Sequence, residues 1–455
     1  MTQDAILVGL ARAVRDAVEA RACSFGSVLV VGAGDPGTHA ARRVSTWEQL
    51  DFRTVEASSI LLAAPPANGA EARVVLERAA HARLKVSLIE NSRARRLTLE
   101  DLVGQRLRDA DAARIQPMIR GKRVLITGGG GSIGAALARR VMDFSPARLA
   151  ILDSSEFNLF RISQDLAEAT PILADIRDQH AVRRWFARER PEIVFHAAAL
   201  KQVPLVEAFA SEGVMTNIVG LRHVAEASAA AGADMVFVST DKAVEPSGVM
   251  GATKRFGEMY CQALDRLGPR RIVPVRLGNV LGSTGSVAPT FVAQLAAGGP
   301  LTVTHPDVTR FFLTIPQAAE SLLQAAAVAL AGEERGAAYT LDMGEALPVV
   351  ELAREVIRLE GLRPDDDVPI TFTGLRPGEK LHEALIGADE TRADPAPGVM
   401  AAFSTPRGLP ELHEQMERLV LHAREGAKSA IRDALFAAIE DASQRGSDRE
   451  RALVG

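Results

Sequence analysis

Short apolar runs alternate with amphipathic stretches along most of this chain, and that alternation predicts its architecture. Two of the runs end in glycine clusters that lead into a helical pattern, at residues 27–44 (SVLVVGAGDPGTHAARRV) and 122–141 (KRVLITGGGGSIGAALARRV). Between them the pattern predicts a strand over 59–64, a helix over 69–83, a strand over 84–89 and a charged, helical connector over 93–120. The first twenty residues read as an amphipathic helix. From residue 122 the alternation becomes regular, with strands predicted at 124–127, 149–153, 171–175, 193–197, 235–240 and 272–277 and helical patterns between most of them. Segments of this length and order mean a doubly wound parallel sheet covered by helices on both faces. After Gly278 the chain turns Gly- and Pro-rich, as a substrate-capping region would, and 411–443 reads as a helical tail.

At 455 residues the chain exceeds one ordinary domain. Its formal charge of −4 gives no electrostatic reason to expect nucleic acid as a partner. Cys23 and Cys261 are the only cysteines and share no short spacing, so a disulfide framework is not expected and a reducing cytoplasm fits. The longest apolar stretches, 27–32 and 60–66, are strand-sized, and the first residues lack the layout of a signal peptide. The expectation is a soluble, cytoplasmic protein without membrane insertion. The nine histidines form no paired-ligand spacing, so no metal is expected; His196 and the pair Phe311, Phe312 read as packing.

Gly128, Gly131 and Gly134, with Ser132 and Ile133 among them, follow a strand and open a helix. This spacing allows a tight turn, close backbone approach to a pyrophosphate and helix-on-strand packing, with the anion at the helix N-terminus. Asp153 ends the next strand, where a carboxylate takes the adenosine ribose hydroxyls and repels a 2′-phosphate; the cofactor expected is therefore NAD. Ser154 and Glu156 beside it, Asp175 and Ile176 after the third strand, and Ala197, Ala198 and Ala199 after the fourth complete the expected cofactor wall. The earlier cluster of Gly32, Gly34 and Gly37 is interrupted by Pro36 and lacks a following acid, which favours a vestigial or regulatory fold over a second dinucleotide site. The expected order is a small Rossmann-like domain (1–100), a connector (101–120), a cofactor- and substrate-binding domain (121–400) and a helical tail (401–455).

Two further segments stand at strand ends, HAAALKQVPLVE at 196–207 and VSTDKAVEPSGVMGATK at 238–254. Together with SEFNLF (155–160), VRLGNVLGSTGSV (275–287), HPDVTRFFLTI (305–315), LDMGE (341–345) and TGLRPGEKL (373–381), they make the chain resemble the CapD-type polysaccharide-biosynthesis proteins. These are nucleotide-sugar 4,6-dehydratases of the extended short-chain dehydrogenase superfamily. The resemblance is dense over 121–385 and looser before it. Leu200 and Gln202 depart from the family's usual aromatic and His, which puts the sugar in question.

The superfamily's usual base is a Tyr four residues before a Lys, but neither Tyr260 nor Tyr339 has that spacing, and Met250 stands four residues before Lys254. A thioether cannot take a hydroxyl proton, so another acid–base set is required. The resemblance implies that Lys242 removes the C5 proton, Asp241 protonates the C6 oxygen, Thr240 bonds O4 and Lys254 holds the nicotinamide ribose. It also implies a nucleotide-diphosphate sugar, UDP-N-acetylglucosamine first, as substrate, with Lys201, Asn217, Asn279, Arg310, Arg376 and Glu379 as contacts. A homodimer through the segments 209–231 and 251–267 is expected from the same source. Two other readings stay open: a nucleotide-sugar epimerase, which needs no acid for the C6 hydroxyl, and an inactive NAD-sensing regulator, which Met250 would suit.

Overall fold

The structure is a computed structural model that describes residues 3–8, 25–31, 41–44, 59–62, 69–81, 83–90, 93–103 and 111–440. Cys23 and the cluster Gly32, Gly34 and Gly37 lie outside the described residues. The chain forms two compact units. One joins Met1–Arg106 to Ser286–Val308 and Leu347–Gly374; the other joins Leu107–Gly285 to Thr309–Ala346 and Leu375–Gly455.

The first unit holds a six-stranded sheet in the order Ala41–Val44, Phe25–Val31, Gln3–Val8, Ser59–Leu62, Lys85–Glu90, Arg93–Arg96. All its pairings are parallel except the last. Two expectations are corrected here. Residues 3–8 form a central strand, not part of a helix, because the run Ala5–Val8 suits a strand covered on both faces better than one helical stripe. Residues 93–96 form an edge strand, a place where a row of arginines is tolerated because one side faces solvent. The segment returning at 347–374 packs its helix Val349–Leu359 against helix Gly69–His81. Arg73–Glu355 (3.5 Å) joins the two helices, and Lys85–Glu360 (3.2 Å), Arg96–Glu360 (2.9 Å) and Arg83–Asp367 (3.4 Å) tie the returning segment to the strands and turn beside them.

The second unit is built on a nine-stranded sheet. Its strands are β1 (Arg123–Thr127), β2 (Arg148–Asp153), β3 (Thr170–Leu173), β4 (Ile193–His196), β5 (Asp234–Thr240), β6 (Ile272–Leu277), β7 (Ala337–Leu341), β8 (Thr391–Ala396) and β9 (Val399–Phe403). The order is β8-β9-β7-β6-β5-β4-β1-β2-β3. β1 to β7 pair in parallel, and β9 alone runs against the rest, antiparallel to both β7 and β8. This is the doubly wound sheet that the alternation predicts. Its order reverses between β1 and β4, where such sheets open a crevice at their carboxyl ends. Six of the expected strands lie within two residues of their predicted bounds; β3 ends at Leu173, leaving Asp175 in the following turn.

Helices α1 (Ser132–Met142), α2 (Glu156–Asp165), α3 (Gln179–Glu189), α4 (Leu221–Ala231), α5 (Val249–Leu267) and α6 (Ile315–Ala331) cover the sheet. The residues expected as a tail instead fold as α7 (Leu409–Arg424) and a helical run at 428–440, both part of the core. Leu412, Met416, Leu419, Ile431 and Leu435 are buried in one cluster with Phe256, Met259 and Tyr260 of α5. Sixteen of the nineteen residues of α5 are buried as a result. Part of the segment 251–267, one of the two expected to pair in a homodimer, is thus covered by helices of the same chain. No helix among the described residues is long and apolar enough to cross a membrane.

Leu412 is fully buried at this seam, so Leu412→Ala should cost about 2–5 kcal/mol of folding stability, the usual range for a core leucine. Urea unfolding measures it. A loss below about 1 kcal/mol would mean that the C-terminal helices are dispensable to α5.

Candidate active site

At the carboxyl end of β1 the chain turns sharply at Gly128, whose φ is +65°, and α1 begins at Ser132 with Gly131 as its cap. A Cβ on Gly128 would lie 2.5 Å from Ala198 N, and one on Gly134 would lie 2.2 Å from Gly128 O. These two glycines let loop, β4 exit and α1 meet at backbone distance. Gly131 has only Gly128 O at 3.3 Å and faces the cavity beside it. That cavity, about 350 Å³, is lined by Gly128, Gly131, Asp153, Ser154, Asp175, Ile176 and Ala197 to Ala199. Of the other expected cofactor residues, Ser132 accepts from Thr284 N (3.2 Å), Ile133 packs on the core, Gly134 is inside α1, and Glu156 is exposed in the first turn of α2.

Asp153 is buried, and each of its oxygens already accepts a backbone N–H, from Gly130 and Ser155, both at 2.9 Å. The carboxylate therefore ties the glycine loop to the start of α2 while its edge faces the cavity. Arg177 spans Asp175 (2.7 Å) and Glu212 (2.8 Å) on the cavity's far side. A glycine loop at a helix N-terminus with a strand-end carboxylate beside it is a donor set that can hold a pyrophosphate and a ribose.

The second strand end is charged. β5 ends at Thr240 and runs into a single turn, Asp241–Ala243. Thr240 Oγ1 donates to Asp241 Oδ1 at 2.8 Å, and Lys242 Nζ donates to the same oxygen at 3.0 Å and to Asn279 Oδ1 at 2.7 Å. Asp241 has no solvent exposure, and its Oδ2 has no hydrogen-bond partner among the described residues. An orphaned buried oxygen costs stability, and here it leaves one carboxylate oxygen free to accept. Gly251 lets α5 reach this turn, since a Cβ there would stand 2.2 Å from Lys242 O.

Met250 and Lys254 both lie buried on α5. Lys254 Nζ donates to Val238 O (2.8 Å) and sits 4.3 Å from the centre of the Phe237 ring. Burial pulls its ammonium down to about 8. His196, stacked on the other side of Phe237, bonds Thr127 Oγ1 through Nδ1 at 2.6 Å. Burial, helped by the Lys254 charge, pushes its imidazole down to about 3.

Of the expected substrate residues, Asn279 and Arg310 join the charged turn. Arg310 Nε lies 3.9 Å from Glu383 Oε1, which lies 3.8 Å from Lys242 Nζ, and Arg310 also pairs with Glu379 (3.3 Å). Lys201 donates to Ser283 Oγ (3.1 Å), and burial lowers its ammonium below the usual range. Arg376 is exposed and linked to Glu379 through its backbone N–H (3.2 Å). Asn217 stands in a π-helical stretch, Val214–Gly220, before α4 and is buried. Its amide is spent on Leu200 N (2.8 Å), Leu200 O (2.9 Å) and Thr253 Oγ1 (3.0 Å), so it holds the 200 loop rather than facing the cavity. Sequence reasoning missed Glu383 and Ser283; neither lies in a spacing that marks chemistry, and only the fold brings them to the site.

The doubly wound sheet, with a glycine loop and a cavity at its switch point, defines a Rossmann-type architecture. The chain belongs to the polysaccharide biosynthesis protein family, whose model matches residues 124–403. It is 42% identical over 312 residues to the capsular polysaccharide biosynthesis protein CapD of Staphylococcus aureus, covering 66% of this chain and 51% of that one, so it spans about half of that relative's length. It is 33% identical to the probable polysaccharide biosynthesis protein EpsC of Bacillus subtilis, over 85% of this chain and 72% of that one. UDP-glucose 4-epimerases of Rickettsia species match at 31% identity over 59% of the chain and 79% of their own. Among solved structures, Pen of Bacillus thuringiensis superposes with a TM-score of 0.57 at 30% identity, over 64% of this chain and 90% of that one.

Gly134→Ala places a methyl group against Gly128 O, so it should cost most of the dinucleotide affinity, read by calorimetric titration with NAD. Unchanged affinity would place the cofactor elsewhere. A second outcome concerns acid. Below its ordinary value of 6.5 the His196 imidazole takes a proton in the unfolded chain, but in the fold only near pH 3. Stability should therefore fall as pH drops through that window, by about 1.4 kcal/mol per pH unit from this group. His196→Gln should flatten the stability curve there; parallel curves would contradict the assignment.

Proposed function

We propose that this chain is an NAD-dependent nucleotide-sugar 4,6-dehydratase acting on UDP-N-acetylglucosamine. The observation that carries the reading is the Thr240–Asp241–Lys242 turn: hydroxyl, buried carboxylate and amine in contact, with Asp241 Oδ2 unpartnered and a thioether, Met250, at the place of the usual phenol. An epimerase needs only C4 oxidation and has no use for an acid at C6.

The glycine loop, Asp153 and the cavity after β2 and β4 fit NAD: Gly131 leaves the backbone open to the cavity, and the Asp153 carboxylate that lines it would take ribose hydroxyls and repel a 2′-phosphate. When bound, NAD supplies a reversible hydride acceptor, taking the C4 hydride and returning it to C6. The protein handles the protons. Thr240 accepts the O4 proton and passes its own to Asp241, 2.8 Å away. Lys242, entering as the amine and held by Asn279, removes the C5 proton made acidic by the C4 ketone. Asp241 delivers its proton to the C6 oxygen, and water leaves. The Lys242 ammonium returns its proton to C5, so amine and carboxylate end as they began, and the proton lost from O4 departs in the water. Arg310, Lys201 and Arg376 are the cations available to a nucleotide diphosphate.

Incubation with UDP-N-acetylglucosamine and catalytic NAD should yield a product lighter by one water in the mass spectrum. Unchanged mass with altered stereochemistry would favour the epimerase reading, which the Rickettsia relatives support; no turnover would favour a regulator. Lys242→Met and Asp241→Asn should each slow water loss about a hundred- to ten-thousand-fold while cofactor reduction survives in Lys242→Met. Met250→Tyr should change turnover little. A gain of orders of magnitude would show that the thioether marks a damaged enzyme.

A further inference from the structure

Glu383 is a buried carboxylate, its side chain 2% exposed, that the scheme above leaves without a task. It lies just beyond the turn 375–380, and three basic side chains from three segments surround it: Lys380 Nζ at 3.0 Å from Oε2, Lys242 Nζ at 3.8 Å and Arg310 Nε at 3.9 Å from Oε1. Lys242 in turn faces Asp241 and the neutral Asn279, and Arg310 faces Glu379. The side chains of Lys242 and Lys380 keep about a fifth of their surface exposed, whereas Arg310 and Glu383 are nearly sealed.

We propose that Glu383 is a positioning residue that acts through Lys242, holding it between two carboxylates and linking it to Arg310. This deepens the dehydratase reading and rests on it for the identity of the step served. The physical argument is geometric. A lysine side chain has four rotatable bonds and is not fixed by one partner. Asp241 and Asn279 lie on the sheet side of Lys242, and Glu383 comes from a separate segment, so the three acceptors together confine Nζ. Without Glu383, Arg310, Lys380 and Lys242 would lose the one carboxylate they share, and only Asp241 beside Lys242 and Glu379 beside Arg310 would remain. Each would then turn away, and the proton transfer from C5 to Lys242 would lose its geometry. A misplacement of about 1 Å in such a step costs about a hundredfold.

The deciding experiment compares wild type, Glu383→Gln and Glu383→Asp. Acetic anhydride, which reacts with free amines, is applied to the full chain across pH, and acetylation of Lys242 is quantified by peptide mass spectrometry against exposed Lys428. Removing an anion about 4 Å from an amine in a solvated site should raise the Lys242 labelling ratio about fivefold in Glu383→Gln. Glu383→Asp, which keeps the charge, should stay near wild type. In turnover, Glu383→Gln should lose about tenfold or more in kcat with retained NAD content, and the acidic limb of its pH profile should move to lower pH.

Lys242 labelling that is the same in wild type and Glu383→Gln overturns the proposal, whatever the reaction is. If wild type removes no water from the nucleotide sugar, the dehydratase reading falls alone, because the labelling ratio still decides whether Glu383 governs Lys242. Should Glu383→Gln not fold, a Lys242 ratio raised in Glu383→Asp would also count against the proposal, since that variant keeps the anion.

Discussion

The site hangs on one buried charge cluster. Arg276, near the end of β6, has no solvent exposure, and its guanidinium uses all five N–H donors. Glu258 of α5 accepts two (2.9 and 2.7 Å), Glu390 accepts two (2.7 and 2.6 Å), and Leu385 O accepts the fifth (3.0 Å). Arg255 adds a second cation, 2.6 Å from Glu390 and 3.3 Å from Glu258, which makes the group neutral in sum. Burial alone would raise the Glu390 carboxyl, but hydrogen bonds and charge from Arg276, then Arg255, hold it at about 2. Such a cluster stabilises little when complete, yet losing one member strands a charge in the interior at a cost of about 3–5 kcal/mol. It therefore acts as a register pin. It fixes β6, α5 and the segment 383–390 against one another, and these carry Asn279 just past β6, Met250 and Lys254, and Glu383.

A second constraint comes from the C-terminal helices. A nineteen-residue helix with charged residues at Lys254, Arg255, Glu258 and Asp265 could not be buried unless each found a partner and the remaining face met apolar surface. Asp265 meets Arg271 at 2.9 Å, and Lys254 meets a carbonyl and a ring face. Leu412, Met416 and Leu435 supply the apolar cover. Burial between α5 and the sheet, against Val238 O and the Phe237 ring, lowers the Lys254 ammonium to about 8.

Much of this was legible in the sequence, and the limits are physical. The doubly wound sheet, the glycine loop and Asp153 follow from local spacing, because strand, turn and helix are decided over a few residues. The turn Thr240–Lys242 and the loss of the phenol at Met250 are also local. Arg276, Glu383 and Glu390 were not legible, since their meaning depends on partners over a hundred residues away or on another segment. Asn217 misled for the opposite reason: a polar residue near the cavity in sequence order was consumed by the backbone of Leu200. The strand at 3–8 and the edge strand at 93–96 were missed because sheet pairing overrides the helical pattern that short charged segments present.

Replacing the phenol by a thioether is coherent with the proposed chemistry rather than a defect in it. A phenol beside the nicotinamide is the superfamily's usual acceptor of the hydroxyl proton. In a 4,6-elimination the C4 oxygen remains a ketone, so the proton it loses is never returned there. Its natural destination is the leaving hydroxyl at C6, and the group that must deliver it is the acid at C6. A hydroxyl and a carboxylate 2.8 Å apart can collect that proton from O4 and spend it at C6 without a separate base. With the amine 3.0 Å from the same carboxylate, the groups that would relay the protons of the proposed cycle lie within one turn of the chain. A phenol at 250 would add a second acceptor at O4 that the balance does not need, and a neutral, flexible thioether fills the volume without competing for the proton.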